Sequence, residues 1–301
     1  MSCEETAKTD LTQEPIVPVG CPICHSRMRP RLANDIFHCP SCGFWSSSFA
    51  RSTDGAQDST ALVESSRRKA LESLRRANFR RILDVMGSLV ELEGLAICDI
   101  GCAHGWFLQA AQQRGAEAVG IEPDGPVAAS ALREGLNIRI GSFPDCLNPA
   151  ERFGAIVFND VLEHLSEPGR VISTSYDHLD PGGLLIVNCP SSGGAIFRLS
   201  CIAARLGMHA PFHRMWQRHF HCPHVSYFSG SNLEKLVTSC GFSLVHSESL
   251  PALRLRGLWN RLRMDREAST LRSLMVYLAL VGGYPVLACL PSDILLHIYR
   301  K

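Results

Sequence analysis

One short segment constrains the fold more than any other. Residues Cys98–Leu108 read CDIGCAHGWFL, an apolar strand pattern followed by a glycine-rich turn and the start of a helix. Gly101 and Gly105 permit positive φ angles and close approach of a ligand to the backbone, and Ala103 between them is small. At the carboxyl end of a parallel strand, such a turn predicts a binding site for a nucleoside cofactor.

Short apolar runs alternate with helical patterns along the rest of the chain, which predicts an α/β fold with a doubly wound, mostly parallel sheet. The predicted strands are Leu95–Ile100, Ala118–Ile121, Asn137–Ile140, Ala155–Asn159, Leu184–Cys189, Phe242–Ser247 and Asp293–Tyr299. The predicted helices are Ala61–Leu92, Trp106–Gln113, Gly125–Glu134, Pro168–His178 and Ser231–Cys240. The first helix is rich in arginine, which fits either a solvated face or contact with an anionic substrate or membrane.

A carboxylate and the spacing of the glycines narrow the choice of cofactor. Glu122 ends the second of these strands, 23 residues after Asp99, where it can accept hydrogen bonds from both ribose hydroxyls. A dinucleotide site would need G-x-G-x-x-G, whose third glycine would fall at Trp106, whereas the chain reads G-x-A-x-G. The sequence therefore disfavours a pyrophosphate-containing cofactor.

These motifs resemble those of the class I S-adenosylmethionine-dependent methyltransferases. The resemblance covers about residues 95–249 and 293–301, with DIGCAHG, VGIEPD, FNDVLEHL, LDPGGLLIVNCPS and HVSYFSGSNLEKLVTSCGF. It implies a seven-stranded sheet, S-adenosylmethionine as cofactor and methyl transfer as the reaction. The resemblance also implies the cofactor-binding residues: Asp99, Gly101, Cys102, Ala103 and Gly105 at the amino-acid end, Glu122 at the ribose, Ser142 and Phe143 beside the adenine, and Asn159 and Asp160 facing the methyl donor and substrate.

Methyl transfer asks little chemistry of the protein, because the sulfonium donor is already activated and placement of the acceptor is the main task. A general base is needed when the acceptor is a hydroxyl or an acidic C–H group. His164, in the triplet LEH, and His224, at the start of HVSYFS, are the candidate catalytic residues. The alternative for His164 and Glu163 is capping or packing of the helix after the fourth strand.

A cysteine-rich block at residues 21–49 predicts a zinc ribbon. Two C-x2-C pairs, Cys21 with Cys24 and Cys39 with Cys42, are separated by fourteen residues. Four thiolates at this spacing suit a closed, structural zinc site, with iron as the less favoured chemical alternative. A module this small depends on its metal to fold. Substrate docking, a lid over the cleft and a subunit contact are all compatible roles.

Composition indicates the class of protein and its compartment. The thirteen cysteines and the absence of a secretory pattern in the N-terminal residues predict a cytoplasmic protein with reduced thiols. A net charge of +1 argues against DNA and RNA as partners. We expect a flexible tail at residues 1–20, a linker near residues 51–60 and a methyltransferase domain over residues 61–301.

Two insertions interrupt the predicted methyltransferase pattern, and the first, at about residues 195–228, is rich in histidine. Five histidines, with arginines and aromatic residues among them, predict a lid whose cationic groups face an anionic acceptor. A second metal site and ordinary surface histidines are the alternatives. The five residues are His209, His213, His219, His221 and His224.

The second insertion, at about residues 251–291, is both basic and apolar. Arg254–Arg272 carries six arginines, and Leu274–Leu290 follows with seventeen uncharged residues. We expect either peripheral contact with the anionic inner face of a membrane or burial as helices against the sheet. Gly282-Gly283 and Pro285 argue against one straight helix, and the final strand must return to the sheet, which argues against a spanning helix.

The sequence therefore favours a cytoplasmic methyltransferase with an N-terminal zinc ribbon, acting on a small-molecule or glycan-type acceptor. By analogy, methyltransferases of polysaccharide and natural-product pathways often carry such a ribbon. The alternatives are an RNA methyltransferase that uses the ribbon to hold RNA, and a non-catalytic protein that has kept the cofactor cleft.

Overall fold

The computed structural model describes residues 20–49, 64–218, 222–255, 257–263 and 269–301. The predicted tail, apart from Gly20, and the predicted linker lie outside the described residues. The strands are β1 (Arg29–Pro30), β2 (Ile36–His38), β3 (Trp45–Ser47), β4 (Ala96–Ile100), β5 (Glu117–Glu122), β6 (Ile138–Ile140), β7 (Phe153–Asn159), β8 (Leu179–Pro190), β9 (Ser226–Tyr227), β10 (Ser243–Leu250) and β11 (Ile294–Arg300). The helices are α1 (Glu64–Leu89), α2 (Trp106–Gln112), α3 (Gly125–Arg133), α4 (Pro168–His178), α5 (Ala195–Arg205), α6 (Ala210–Met215), α7 (Gly230–Ser239), α8 (Leu258–Leu262) and α9 (Thr270–Cys289), with one turn of 3₁₀ helix at Leu162–His164.

The main sheet has seven strands in the order β10-β11-β8-β7-β4-β5-β6. The five strands from β8 to β6 are parallel, and β11 runs antiparallel to both of its neighbours. Successive residues of β7 face opposite layers: Ile156 and Phe158 belong to one buried apolar cluster, and Ala155 and Val157 to the other. Burial on both faces explains the continuous apolar run of this strand and confirms the predicted fold class.

All seven predicted strands form in this sheet, with small differences at their ends. The larger difference is α9, a single helix that continues through Gly282-Gly283 and Pro285. The predicted break at this point is wrong. Pro285 is exposed, so the carbonyl group that loses its helical hydrogen bond there can be hydrated. None of the helices in the described ranges combines the length and the apolar character that crossing a bilayer requires.

The cysteine-rich block forms a second sheet together with the lid. Its order is β1-β2-β3-β9, so that a two-residue strand from the lid extends the ribbon. The ring of Trp45 lies 5.7 Å from that of Phe197 and 6.1 Å from that of Phe212, both in lid helices. About thirty residues cannot bury a core of their own, and the ribbon shares an apolar cluster with the lid instead.

Candidate active site

The glycine-rich turn leaves β4 at the carboxyl edge of the main sheet. Gly101 has φ 67°, and a Cβ atom there would lie 2.6 Å from Cγ2 of Val161. Gly105 has φ 70°, and its Cβ would overlap the side chain of Leu136. Ala103 also has a positive φ of 46°, although it carries a side chain. The turn therefore requires small residues at the positions that the sequence singles out.

Glu122, at the end of β5, ties this turn in place. Its Oε2 accepts a hydrogen bond from the backbone N–H of Ala103 at 2.9 Å, and its Oε1 accepts one from the N–H of Asp124 at 2.9 Å. The side chain is buried. Because each carboxylate oxygen has a second lone pair, the same group can also accept bonds from two ribose hydroxyls.

Asp99 and Asn159 lie side by side at the ends of β4 and β7. Asn159 Nδ2 donates to Asp99 Oδ1 at 3.3 Å, and both residues are buried. Burial raises the pKa of Asp99 to about 8, the Asn159 bond opposes this, and the nearby Glu122 adds to it. The amide oxygens of Asn159 and Asn188 are buried with no hydrogen-bond partner in the described part of the chain. A ligand with a cationic amino group and further polar atoms fits this arrangement.

The other predicted cofactor residues surround the same edge. Cys102 is buried, and its N–H donates to the carbonyl of Ile121 at 3.2 Å. Ser142 and Phe143 follow β6, and the ring of Phe143 makes an edge contact with that of Phe158 at 6.2 Å. Asp160 follows β7 with φ 55°. The predicted set is therefore gathered at the carboxyl edge, while its contacts with a cofactor stay a prediction.

A residue of α1 reaches the same edge, which sequence reasoning missed. Nη2 of Arg75 lies 3.2 Å from Oδ2 of Asp160. Next to it, the guanidinium of Arg76 lies over the ring of Trp106 at 5.6 Å and donates to Gln109. The arginine-rich pattern of this helix was visible, but only the docking of the helix across the cofactor turn reveals which arginines face the cleft.

His164 lies in the 3₁₀ turn after β7, with one side of its ring fixed. Its Nδ1 donates to the carbonyl of Pro223 at 2.8 Å, and its Nε2 lies 3.8 Å from Oε1 of Glu163. Burial lowers the pKa of His164, but Cys222, Glu163 and the Pro223 carbonyl outweigh it and raise the pKa to about 9. Burial raises the pKa of Glu163 to about 8, against the opposing influence of His164.

His224 packs against His164, with 4.9 Å between the ring centroids, but its ring nitrogens have partners. Nδ1 donates to the hydroxyl of Tyr227 at 3.0 Å, which itself donates to the carbonyl of Met215, and Nε2 accepts from Gln217 at 2.8 Å. Such a ring is held in place by its own bonds. The ring of His164 also has partners, which are the Cys222 side chain, the Pro223 carbonyl and Glu163, and they raise its pKa to about 9. This higher basicity favours His164 over His224 as the group that takes a proton.

The ribbon is hydrogen-bonded to the side of the cleft that holds His164 and His224, which is the predicted acceptor side. Oγ of Ser47 donates to the carbonyl of His224 at 3.0 Å, and its backbone N–H donates to the carbonyl of Val225 at 3.0 Å. The N–H of Val225 in turn donates to the carbonyl of Glu163 at 2.8 Å. The last strand of the ribbon is therefore linked to the LEH triplet through Val225, which is hydrogen-bonded to Ser47 and to Glu163. We call residues 222–225 the acceptor wall.

The four cysteines of the ribbon converge on one point. Their sulfur atoms all lie within 4.8 Å of one another, with Cys21 and Cys42 3.5 Å apart and Cys24 and Cys39 3.4 Å apart. The two C-x2-C turns have the same backbone: in each, the N–H four residues after the first cysteine donates to that cysteine's carbonyl at 2.9 Å. The residue at that fourth position, His25 or Gly43, has a positive φ.

The lid histidines do not all fall within the described residues. His219 and His221 lie outside them, so the predicted second metal site with His224 has no structural test. His209 lies just before α6 and His213 lies on it, with ring centroids 6.1 Å apart. A ligand atom of His224 instead lies within 4.8 Å of those of Glu163 and His164. An anion-binding lid stays a prediction.

Residues 68–247 match the family model of a methyltransferase domain. The chain belongs to this methyltransferase family. It is similar to ubiquinone biosynthesis O-methyltransferases: 25% identical over 57% of this chain and 68% of the Azorhizobium caulinodans protein, and 30% identical over 40% of this chain and 52% of the Xylella fastidiosa protein. The chain spans about half the length of most of these curated relatives. The predicted enzyme class, and with it S-adenosylmethionine as the cofactor, is confirmed.

Solved structures support the fold. An S-adenosylmethionine-dependent methyltransferase from Archaeoglobus fulgidus aligns with a TM-score of 0.52 at 15% identity, over 77% of this chain and 97% of that one. A chain from a complex of a methyltransferase activator with its methyltransferase from Haloferax volcanii aligns with a TM-score of 0.55 at 14% identity, over 82% and 99%. At these identities the likeness is one of fold alone.

Proposed function

We propose that this protein methylates a hydroxyl group of a small molecule, with His164 as the group that takes the hydroxyl proton. The observation that carries the proposal is the position of His164: its Nδ1 is held by the Pro223 carbonyl, so the proton-accepting nitrogen is Nε2, at the carboxyl end of β7. S-adenosylmethionine supplies an activated methyl group when bound. Asp99 and Glu122 would hold it, and Asn159 and Asp160 would line the space between it and the acceptor.

The choice of a small hydroxyl acceptor is supported by the relatives, which are named as O-methyltransferases of ubiquinone biosynthesis. A glycan acceptor, the other predicted class, has no such support and serves as a comparison in the acceptor screen. A hydroxyl is a poor nucleophile until its proton is removed, and this is why a base beside the methyl donor matters for this acceptor.

We also propose that the four ribbon cysteines bind one structural zinc ion. Tetrahedral zinc with bonds of about 2.3 Å places its sulfurs about 3.8 Å apart, close to the separations of 3.5 and 3.4 Å observed here. Since all four ligands come from the protein, the ion would have no open position for chemistry. Its role would be to fold the ribbon, whose Ser47 holds the acceptor wall.

We also propose that the protein is cytoplasmic, because thirteen cysteines suit a reducing compartment. Peripheral contact of the protein with the inner face of the membrane is part of the same proposal.

The test is a screen with S-adenosylmethionine labelled in its methyl group and acceptors that carry phenolic hydroxyls, sugar hydroxyls or amines. We expect transfer to a hydroxyl acceptor, and a fall in kcat of roughly 100-fold or more for His164→Asn, as for loss of a general base. The affinity for S-adenosylmethionine, measured by calorimetry, should not change. His25→Asn, at an exposed position outside the lid, is the matched control. Undiminished kcat in His164→Asn would exclude the base, and transfer only to amines would exclude the acceptor class.

The dependence of kcat on pH tests the same group in another way. A base must be neutral, so kcat should rise with pH and level off above the His164 pKa of about 9. In Glu163→Gln the negative partner is gone, the imidazolium form is less stable, and the plateau should begin at a pH lower by about one unit. A rise caused by ionisation of the acceptor itself would be the same in both proteins.

A further inference from the structure

Most of the exposed large apolar side chains in the described part of the chain lie in the two insertions. Among the described residues, seventeen large apolar side chains are exposed, and fourteen of them lie in residues 195–208 or 255–290. On α9 a stripe at helical spacing consists of Leu271, Leu274, Met275, Leu278 and Val286, with Val276 beside it and Leu290 directly after the helix. On α5 and just after it, the exposed side chains are Ile196, Leu199, Ile202, Leu206 and Met208. Patches of this kind mark sites of interaction.

Helix α5 begins next to the point where helix α9 ends. The N–H of Ala195, the first residue of α5, donates to the carbonyl of Pro291 at 2.9 Å, just after α9. The carboxylate of Asp293 accepts from the N–H groups of Ile196 and Phe197 at 3.1 and 2.9 Å, which fixes this junction. Both insertions depart from the carboxyl edge of the sheet, where the cofactor turn and the acceptor wall lie. We call the exposed faces of α5 and α9 the docking face.

Positive charge is concentrated in the same two insertions as the exposed apolar side chains. The insertions at residues 195–228 and 251–291 contain ten of the chain's 30 basic residues, all arginine, and two of its 29 acidic residues. They therefore carry +8, whereas the rest of the chain carries −7. No acidic residue occurs between Asp180 and Glu234. Arg198 and Arg205 are exposed on α5 among its apolar side chains.

We infer that the docking face binds an anionic lipid leaflet, with its apolar stripe at the level of the acyl chains and its arginines among the headgroups. The combination of exposed apolar side chains and clustered positive charge matches this surface, since acyl chains accept the former and anionic headgroups the latter. A second copy of the chain would bring +8 against +8, which disfavours it as the occupant. The cleft then opens beside the membrane.

An aromatic pair marks the level of the interface. The ring of Trp259, on α8, makes an edge contact with that of Tyr277, on α9, at 5.7 Å, and Trp259 is 37% exposed. The other three tryptophans are Trp45, Trp106 and Trp216, each 7% exposed or less. Aromatic residues with a polar atom are common at the boundary between headgroups and acyl chains. Any change in tryptophan emission on binding vesicles should therefore come from Trp259.

The inference is tested by measuring the binding of the full chain to vesicles in the absence of S-adenosylmethionine and acceptor. The outcome is therefore independent of the proposed reaction. With vesicles of phosphatidylcholine containing about one third phosphatidylglycerol, we expect sedimentation with the vesicles and a blue shift of tryptophan emission. Phosphatidylcholine alone, or high salt, should weaken binding about tenfold or more. Trp259→Phe should remove the spectral shift and keep most of the sedimentation.

Two double variants separate the apolar and the ionic contributions. Leu274→Glu with Leu278→Glu, and Arg198→Glu with Arg205→Glu, should each reduce vesicle affinity by about tenfold or more, while calorimetric binding of S-adenosylmethionine is retained. Leu132→Glu, an exposed apolar position on α3 outside both insertions, is the matched control. Circular dichroism checks that the variants are folded.

Three results would overturn the inference: no binding of the wild type to anionic vesicles, equal binding of all the variants, or a dimer in sedimentation that Leu274→Glu with Leu278→Glu converts to a monomer. Vesicle binding without methyl transfer to any acceptor would instead contradict the proposed function and leave the docking face intact.

Discussion

The two sides of the cleft are built in different ways. On the cofactor side, Asp99, the glycine-rich turn and Glu122 come from 24 consecutive residues and are connected by backbone hydrogen bonds within that stretch. On the acceptor side, the groups around His164 come from the ribbon, the LEH triplet and the lid, and the bond from Ser47 to His224 joins residues 177 positions apart. One side is a local structure, and the other is assembled.

The two sides of the cleft therefore depend on different parts of the molecule. The cofactor turn is hydrogen-bonded to the end of strand β5, which pairs with β4, and none of these bonds involves the ribbon. The acceptor wall needs the ribbon, because β9 pairs with β3 directly after it. Substitutions in the ribbon should therefore impair use of the acceptor and leave cofactor binding unchanged. Substitution of Glu122 should impair cofactor binding and leave the acceptor side unchanged.

The largest effect should follow loss of two ligands of the proposed zinc site. In Cys39→Ser with Cys42→Ser, zinc content should fall from about one per chain to none, and methyl transfer should fall by roughly 100-fold or more, because closed zinc sites supply folding energy. The Kd for S-adenosylmethionine should change by no more than about threefold, as expected of a site without direct contact. Metal analysis, calorimetry and the labelled-methyl assay measure these quantities.

Cys289→Ser, at an exposed thiol of α9, is the matched control for that experiment. A wild type that is folded and metal-free would exclude the zinc proposal. Loss of cofactor affinity in step with activity would show that the two sides of the cleft depend on the ribbon equally, and the comparison would then fail.

The opposite pattern is expected for Glu122→Ala. Loss of the proposed ribose acceptor and of the bonds to Ala103 and Asp124 should weaken S-adenosylmethionine binding by about 1–3 kcal/mol, roughly 5- to 150-fold in Kd. With saturating cofactor, the KM for the acceptor should stay within about twofold, because distant sites behave independently. Glu117→Ala, an exposed carboxylate at the start of the same strand, should leave both constants unchanged. Unaltered cofactor affinity would remove Glu122 from the ribose site.

The same contrast decides how much the sequence predicts. The cofactor turn was accessible because its requirements are local: positive φ and close packing at Gly101 and Gly105 restrict the residue type itself. The seven strands were accessible because burial on both faces leaves continuous apolar runs. The positions of the four cysteines were accessible because metal geometry restricts their spacing.

The missing parts depend on packing between distant segments. β9 is two residues long, which is too short to show any periodicity. The pairing of Arg75 with Asp160 depends on how α1 crosses the cleft, and several arginines of that helix look equivalent in sequence. Pro285 suggested a break in α9, but an exposed helix can hydrate the carbonyl that proline leaves without a partner.

The smallest effect, and the most specific test of the assembled side, is expected for Ser47→Ala. The variant removes one buried donor to the carbonyl of His224, a loss of about 1 kcal/mol, or roughly fivefold, in the positioning of the acceptor wall. We expect kcat/KM for the acceptor to fall by about that factor while zinc content and the Kd for S-adenosylmethionine stay constant. Ser46→Ala, on the neighbouring position of β3, keeps this bond and should behave as the wild type. If Ser47→Ala lowers thermal stability but leaves kcat/KM unchanged, the ribbon supports the fold without positioning the acceptor side. If it lowers kcat/KM alone, the hydrogen bond from Ser47 to the carbonyl of His224 carries the ribbon's influence to the acceptor wall.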